Sequence, residues 1–399
     1  MDYLQLPEIQ YELSPKNLGF YQRGFLGKVI YHLRNKKLLY LKSVSLLGLE
    51  KYEDLLLNLN PDCVIVDKEI HDLIFVSYKL RIPTTITTTW FNHIGDGLNL
   101  PPIRTDIIPG SGLKGSRFNI FLVWMFISLK VKGRILKDKL LFKDYRRKSL
   151  LQYAKDNCFP MNKIKQTNLP TLFSYPNSNM LSFNLKELEF PHKGNTEFKY
   201  VGPMVSEFRN ESISHKEQER LQKIFEIKRE FNRKIIFCSL STLIPGNLIF
   251  IKNLIRAVAS KSEWILVITL GNKVQKSNFD EVPKNTYLFD WVPQLQILKH
   301  TDCNINHGGI NSINECIHFK VPMLIYSGGN FDQNGSAARM EYHGLGLTGS
   351  IKEDGLDEIK ANIQKVVEDP SYKKVMIKYN NEYLRYLDNP LTPLLSKHV

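Results

Sequence analysis

No run of apolar residues in this chain is long enough to cross a bilayer. The nearest, FNIFLVWMFISL at 118–129, falls short of the roughly 20 residues a spanning helix needs and carries Asn119 and Ser128. The five cysteines (Cys63, Cys158, Cys238, Cys303 and Cys316) are odd in number, scattered, and show neither a CxxC pair nor metal-ligand spacing. That argues against a disulfide framework or a structural zinc site and for a reducing, cytoplasmic setting. The opening MDYLQLPEIQYELSPK has no basic stretch leading into an apolar core, so no signal peptide is expected. There is no internal repeat, no low-complexity tract and no motif of a nucleic-acid binder, so nucleic acid is not an expected partner.

What remains is a 399-residue chain, 43% hydrophobic and 24% charged, with the length and composition of two folded domains. A formal charge of +14 calls for something anionic to meet it. Much of that charge lies in 114–148, where eleven Lys and Arg stand against two Asp, around the apolar block already quoted. Such a segment reads either as a core helix followed by a solvated basic helix, or as a surface that rests on anionic lipid. The second reading places the protein peripherally at the inner face of a membrane and suits a greasy ligand.

Short β-branched runs alternate with helical patterns, the signature of parallel sheets. CVIVD (63–67) precedes a helical stretch and then TTITTTW (84–90). KIIFCSL (234–240), WILVITL (264–270), TYLFDWV (286–292), CNIN (303–306) and PMLIYS (322–327) form a second series. A Gly-Pro turn and a polar run mark the boundary between them. The expected fold is α/β, with two doubly wound parallel-sheet domains facing a cleft. The first spans 1–204, the second 205–378, and a last helix, 379–399, packs back toward the first.

One junction concentrates chemistry. In CNINHGGINSINE (303–315) a polar strand runs through His307, Gly308 and Gly309 directly into a helix. Free backbone N–H groups and the helix dipole make such a mouth a phosphate site. His307, Asn311 and Ser312 can add hydrogen bonds, and Glu315, one turn on, can accept from the two hydroxyls of a ribose. Nearby, Trp291 offers a flat face for a base and Gln294 an amide. Asp332 and Gln333, on a Gly-rich loop, suit the hydroxyls of a sugar.

In order and spacing, WVPQLQILKH (291–300), HGGINSINE (307–315), VP (321–322) and DQNGSA (332–337) resemble the donor-binding signature of the GT-B UDP-glycosyltransferases. These include the plant secondary-metabolite, macrolide and carotenoid glycosyltransferases. The likeness is good over 235–349 and fainter at KYVGP (199–203) and PDCVIVD (61–67). It implies that Trp291 stacks on the base, that Gln294 and Glu315 hold the ribose, and that His307, Ser312 and the glycine N–H groups hold a diphosphate. Asp332 and Gln333 would read the sugar, with Ser241 and Thr242, in CSLST (238–242), facing the cleft. Ile310, where plant members often carry Trp, fits a bacterial-type relative. No cofactor or metal is implied beyond a nucleotide-sugar co-substrate, a UDP-hexose or dTDP-sugar, and a hydrophobic hydroxylated acceptor.

The implied reaction is an inverting transfer in which the helix mouth, rather than a metal on an Asp-x-Asp motif, stabilises the leaving diphosphate. A base must take the acceptor's proton. Relatives carry a histidine for this on an early Gly-His loop, which this chain lacks, so its first domain is expected to be truncated at the start. Asp67 matches the residue that orients that histidine, and His71 and His93 are the nearest replacements. Two alternatives follow: a GT-B homologue that binds nucleotide sugar without turnover or acts as an activator, and a nucleotide-sugar epimerase.

Overall fold

The computed structural model describes residues 13–92, 100–166, 171–192, 198–239 and 248–387, apart from the single positions 176, 177, 179, 208, 210, 212, 272, 273, 280 and 331. The first half is built on four parallel strands: β1 (Val64–Asp67), β2 (Thr84–Thr88), β5 (Met180–Ser182) and β6 (Phe198–Tyr200), in the order β1-β2-β5-β6. A small antiparallel pair, β3 (Lys165–Gln166) and β4 (Phe173–Ser174), stands apart from it. Helices Leu49–Leu59, His71–Lys79 and Tyr145–Asp156 cover this sheet, sharing one apolar core with Val64, Val66, Phe75 and Tyr153.

Six parallel strands form the second half: β7 (Lys234–Ser239), β8 (Trp264–Thr269), β9 (Thr286–Phe289), β10 (Cys303–Asn306), β11 (Met323–Tyr326) and β12 (Gly346–Gly349). Their order is β12-β11-β10-β7-β8-β9. Alternate residues of β7 serve two different cores. Ile235 and Phe237 pack with Ile313 and Met376 on one face, while Ile236 and Cys238 pack with Leu254 and Ile363 on the other. Both faces are buried, which is why these strands read as continuous apolar runs. The strand order reverses between β7 and β10, and in open parallel sheets the crevice beyond the strand ends at that reversal is where ligands bind.

The chain passes from one sheet to the other through 201–214, on either side of the expected boundary. The last helix departs from expectation. It runs unbroken from Pro370 to Leu387, so a division at 378/379 falls inside it; no proline or glycine interrupts its interior. Tyr379 Oη donates to the Glu187 carbonyl at 3.3 Å, so the helix ties the second half to the first.

The halves are also joined through the helix Gln333–Tyr342. Arg339, only 1% exposed, donates through Nη2 to Glu189 Oε2 at 3.2 Å and to the Asn92 carbonyl at 3.1 Å. The Gly335 N–H donates to the Ile103 carbonyl at 2.9 Å. A buried guanidinium is tolerated only when its donors are met, and here both partners come from the opposite half.

The basic apolar segment forms one helix, Arg117–Leu140, with Ile120 as its buried residue and Phe118, Phe121, Met125, Phe126 and Leu129 exposed. It is therefore not a core helix followed by a second, basic one. Among the described residues no helix is long and apolar enough to cross a membrane.

Candidate functional site

At the strand-order reversal a cavity of about 600 Å³ opens between the ends of β7, β8, β9 and β10. Its lining includes Ser239, Thr269, Trp291, Gln294, His307 and Ser312. These side chains converge because each follows directly on a strand end, or sits in the first turn of the next helix. Gly309 and Asn311 also face this space.

The turn from β10 into the helix Ile310–Phe319 is held from beneath by a ladder of buried amides. Asn304 donates to the Phe237 carbonyl at 3.1 Å, Asn306 donates to Asn304 Oδ1 at 2.8 Å, and the Gly308 N–H donates to Asn306 Oδ1 at 2.8 Å. Gly308 takes φ +83°, and a Cβ there would lie 2.9 Å from the Gln333 carbonyl oxygen. At Gly309 a Cβ would come within 2.5 Å of His307 Nε2. Gly308 therefore requires glycine, for its conformation and for space, whereas a side chain at Gly309 would displace the His307 ring. Among the described residues no side chain caps this helix, and uncapped first-turn N–H groups of this kind suit an anion.

His307 is largely buried and its Nδ1 has no partner. Burial lowers its pKa against the opposing pull of the Ser239 backbone, so the ring is neutral near pH 7. Glu315, one turn further along the helix behind the lining residues Gln294 and Ser312, is 6% exposed. It accepts from Gln294 Nε2 at 2.6 Å and from Arg209 Nη1 at 3.0 Å. Burial raises its pKa, while Arg209 and Gln294 oppose that rise. Trp291 keeps a ring face in the open cavity, at 42% exposed.

Asp332 and Gln333 do not line this cavity. They stand at the start of the helix Gln333–Tyr342, each 8% exposed. The Gln333 carbonyl oxygen lies 2.9 Å from where a Cβ on Gly308 would stand, so this helix start is close to the helix mouth. Ser241, Thr242 and His93 lie outside the described residues.

His71 is corrected by the structure. Its ring is 2% exposed, its Nδ1 pairs with Tyr175 Oη at 2.8 Å, and it packs edge-on to Phe173. Burial, with Arg146 and Lys68 adding to it, pushes its pKa down to about 3. It is a core histidine, because its helix turns this face onto the sheet, and it is not placed to be a base. Asp67 ends β1, and its Oδ1 accepts from the Glu69 N–H at 2.8 Å.

Three features were not singled out from the sequence. Arg209 and Glu211 roof the cavity from the segment between the halves, where nothing local marks them. The roles of Asn304 and Asn306 had a signal in the alternate polar positions of an otherwise buried strand.

Comparison with known proteins bears on the fold that carries this site. Residues 253–389 match the family model for the erythromycin biosynthesis protein CIII-like C-terminal domain. The uncharacterised UDP-glucosyltransferase YdhE of Bacillus subtilis (strain 168) is 29% identical over 164 residues, 41% of this chain and 41% of that protein. The oleandomycin glycosyltransferase of Streptomyces antibioticus is 28% identical over 137 residues, 34% of this chain and 32% of that one. The match thus spans about two fifths of the first of these curated relatives and about a third of the second. The solved glycotransferase of kitacinnamycin superposes with a TM-score of 0.64 at 18% identity, covering 87% of this chain and 78% of that one. The glycosyltransferase VinC, solved in complex with dTDP, gives a TM-score of 0.56 at 15% identity over 97% and 83%. The fold is GT-B.

Proposed function

We propose that this chain, which belongs to the GT-B UDP-glycosyltransferase family, binds a UDP- or dTDP-hexose in the cavity at the β7–β10 reversal and transfers the hexose, with inversion, to a hydroxyl of a hydrophobic acceptor. The observation that carries this reading is the uncapped helix mouth at Gly309, beside a buried carboxylate already held by an amide and a guanidinium. In this reading Trp291 stacks on the base, and Glu315, held by Gln294, accepts from the ribose hydroxyls. The diphosphate meets the N–H groups of the first helical turn, His307 and Ser312, with Asn311 beside them. Ser241 and Thr242 belong to the same set by resemblance, and Asp332 and Gln333 hold the sugar.

Negative charge grows on the diphosphate as the bond to the sugar breaks. Donors fixed in place before the reaction stabilise that charge without reorganising, so the chemistry asks for no metal or cofactor. Asp67, at the end of β1, is proposed to orient the group that takes the acceptor's proton. The exposed apolar and basic helix Arg117–Leu140 suits a greasy acceptor or an anionic lipid surface beside the acceptor domain.

The test is differential scanning fluorimetry with UDP and dTDP, followed by mass spectrometry of hydroxylated apolar acceptors incubated with UDP-hexoses. A nucleotide-dependent rise in melting temperature, weakened in Glu315→Ala, supports the donor site. No shift with either diphosphate overturns it. A shift without any glycosylated product would favour a binding or activating homologue over an enzyme.

A further inference from the structure

The strand that ends in Asp67 delivers a lysine to the junction between the halves. The Lys68 backbone N–H donates to the Thr87 carbonyl at 2.9 Å, so its position is set by the β1–β2 ladder rather than by a free loop. Its side chain is 6% exposed and its Nζ has no hydrogen-bond partner among the described residues. The ammonium lies 4.1 Å from the centroid of the Trp90 ring, just past the end of β2. A buried cation with no carboxylate bonded to it is costly, and one ring face offsets only part of that cost.

Across the junction stand acceptors in the same condition. Asp332 Oδ2 and Gln333 Oε1 are buried and without a partner among the described residues. Trp90, over which the ammonium sits, shares one apolar cluster with Ile310, Ile325 and Ala337, so Lys68 stands near the elements that carry these acceptors. Lys68 and Asp332 each shift the other's ionisation, yet no ion pair joins them among the described residues. The Gln333 carbonyl oxygen in turn lies close to the helix mouth, 2.9 Å from where a Cβ on Gly308 would stand.

We propose that Lys68 is a further donor-binding residue: its ammonium hydrogen-bonds a hydroxyl of the transferred hexose and completes, with Asp332 and Gln333, a sugar pocket built from both halves of the chain. The proposal rests on the donor-site reading above and narrows it. A sugar with hydroxyls at the contacted positions satisfies all three groups. A deoxysugar leaves a buried ammonium unpaired and is rejected.

Burial holds the Lys68 amine down to about 8, against the pull of Glu69, Asp67 and Asp332. The charged groups around it are Asp67 and Glu69 on its own turn and Asp332 from the opposite half. Arg339 lies beyond Asp332 and also acts on it, and the nearby His71 is neutral. The amine is thus a cation at pH 7 and loses its charge only above about 8.

The experiment measures UDP and UDP-glucose binding by calorimetry on the full chain at pH 7, with UDP-galactose and UDP-N-acetylglucosamine as further probes. Lys68→Met keeps the side chain's length and removes its charge. It is expected to weaken the best-bound sugar nucleotide about tenfold, leave UDP within about twofold, and raise the melting temperature of the ligand-free protein. Lys68→Arg, which keeps a cation, should retain part of the sugar affinity. Equal losses for UDP and sugar nucleotide, no loss for either, or a lower melting temperature in Lys68→Met would each overturn the proposal. So would UDP binding with no sugar nucleotide bound by the wild type. If Lys68→Met does not fold, Lys68→Gln takes its place, and failure of both to fold marks a structural lysine and rejects the idea. Absence of UDP binding in the wild type rejects instead the donor-site reading on which this rests.

Discussion

The two halves solve the same architectural problem to different degrees. In the second half a six-stranded sheet is buried on both faces, and β7 shows 0% exposure from Ile235 through Cys238. In the first half the sheet has four strands, and its edge strand β1 leaves Ile65 52% exposed. The nearby helix Phe25–Arg34 has no buried residue at all. The six-stranded sheet carries the candidate site on its strand ends, and the smaller one carries greasy, basic surface. Precision in placing ligand groups follows from how fully the supporting elements are packed. The second half is therefore the more fully packed partner, and the first half reaches it through a few buried polar contacts.

Breaking those contacts is expected to have the largest effect. Arg339→Ala leaves Glu189 buried without its guanidinium, and loss of one member of a buried pair costs about 3–5 kcal/mol. Urea denaturation should show the midpoint falling, or the halves unfolding in separate steps. Replacing both residues, as Arg339→Met with Glu189→Leu, should recover much of the loss.

Next in size is the ribose floor. Glu315→Ala removes a charged acceptor and should weaken UDP binding by about 1.5–3 kcal/mol, roughly 10- to 150-fold, in a calorimetric titration. Equal affinity in Glu315→Ala and the wild type would detach Glu315 from the nucleotide. Arg209→Ala separates two views of the roof. If Arg209 merely occupies the ribose position, its removal tightens binding, and if it braces Glu315, its removal loosens it.

The contrast between the halves can be sharpened by pH. The folded-state pKa of Lys68 is depressed from 10.5 to about 8, so the unfolded chain holds more protons between those values. Stability should then rise as pH climbs from about 8 toward 10.5, with the penalty of the buried charge fully present below 8. Comparing the melting temperatures of wild type and Lys68→Met across pH 7–10.5 checks this, since the gap between them should shrink as pH rises.

The smallest expected effect concerns the exposed helix Arg117–Leu140. Sedimentation with vesicles containing anionic lipid should show binding that weakens between low and physiological salt, as screening removes the Lys and Arg contribution. Equal binding to neutral vesicles, or none to either, would leave this helix as protein-facing surface only.

Much of the candidate site was legible in the sequence because it is local. Trp291, Gln294, His307, Ser312 and Glu315 lie on two successive strand–loop–helix units. Strand direction, glycine freedom and the 3.6-residue helical repeat fix their relative places almost without help from the rest of the chain. The strand series was readable for a similar reason, since apolar runs report strands buried on both faces. His71 was misread as a candidate base because a histidine beginning a helix says nothing of which way the helix faces. Only packing shows that it meets Tyr175 and Phe173.

What the sequence by itself determined is thus the α/β class and the strand–glycine–helix turn with the polar groups gathered around it, all properties of residues close in the chain. Tertiary structure alone decided that Arg209 holds Glu315 and that Arg339 locks onto Glu189. Each of these pairs joins residues more than a hundred positions apart, where neither periodicity nor spacing carries information. Only the folding of two sheets against one another removes the intervening water and makes a single buried charge decisive.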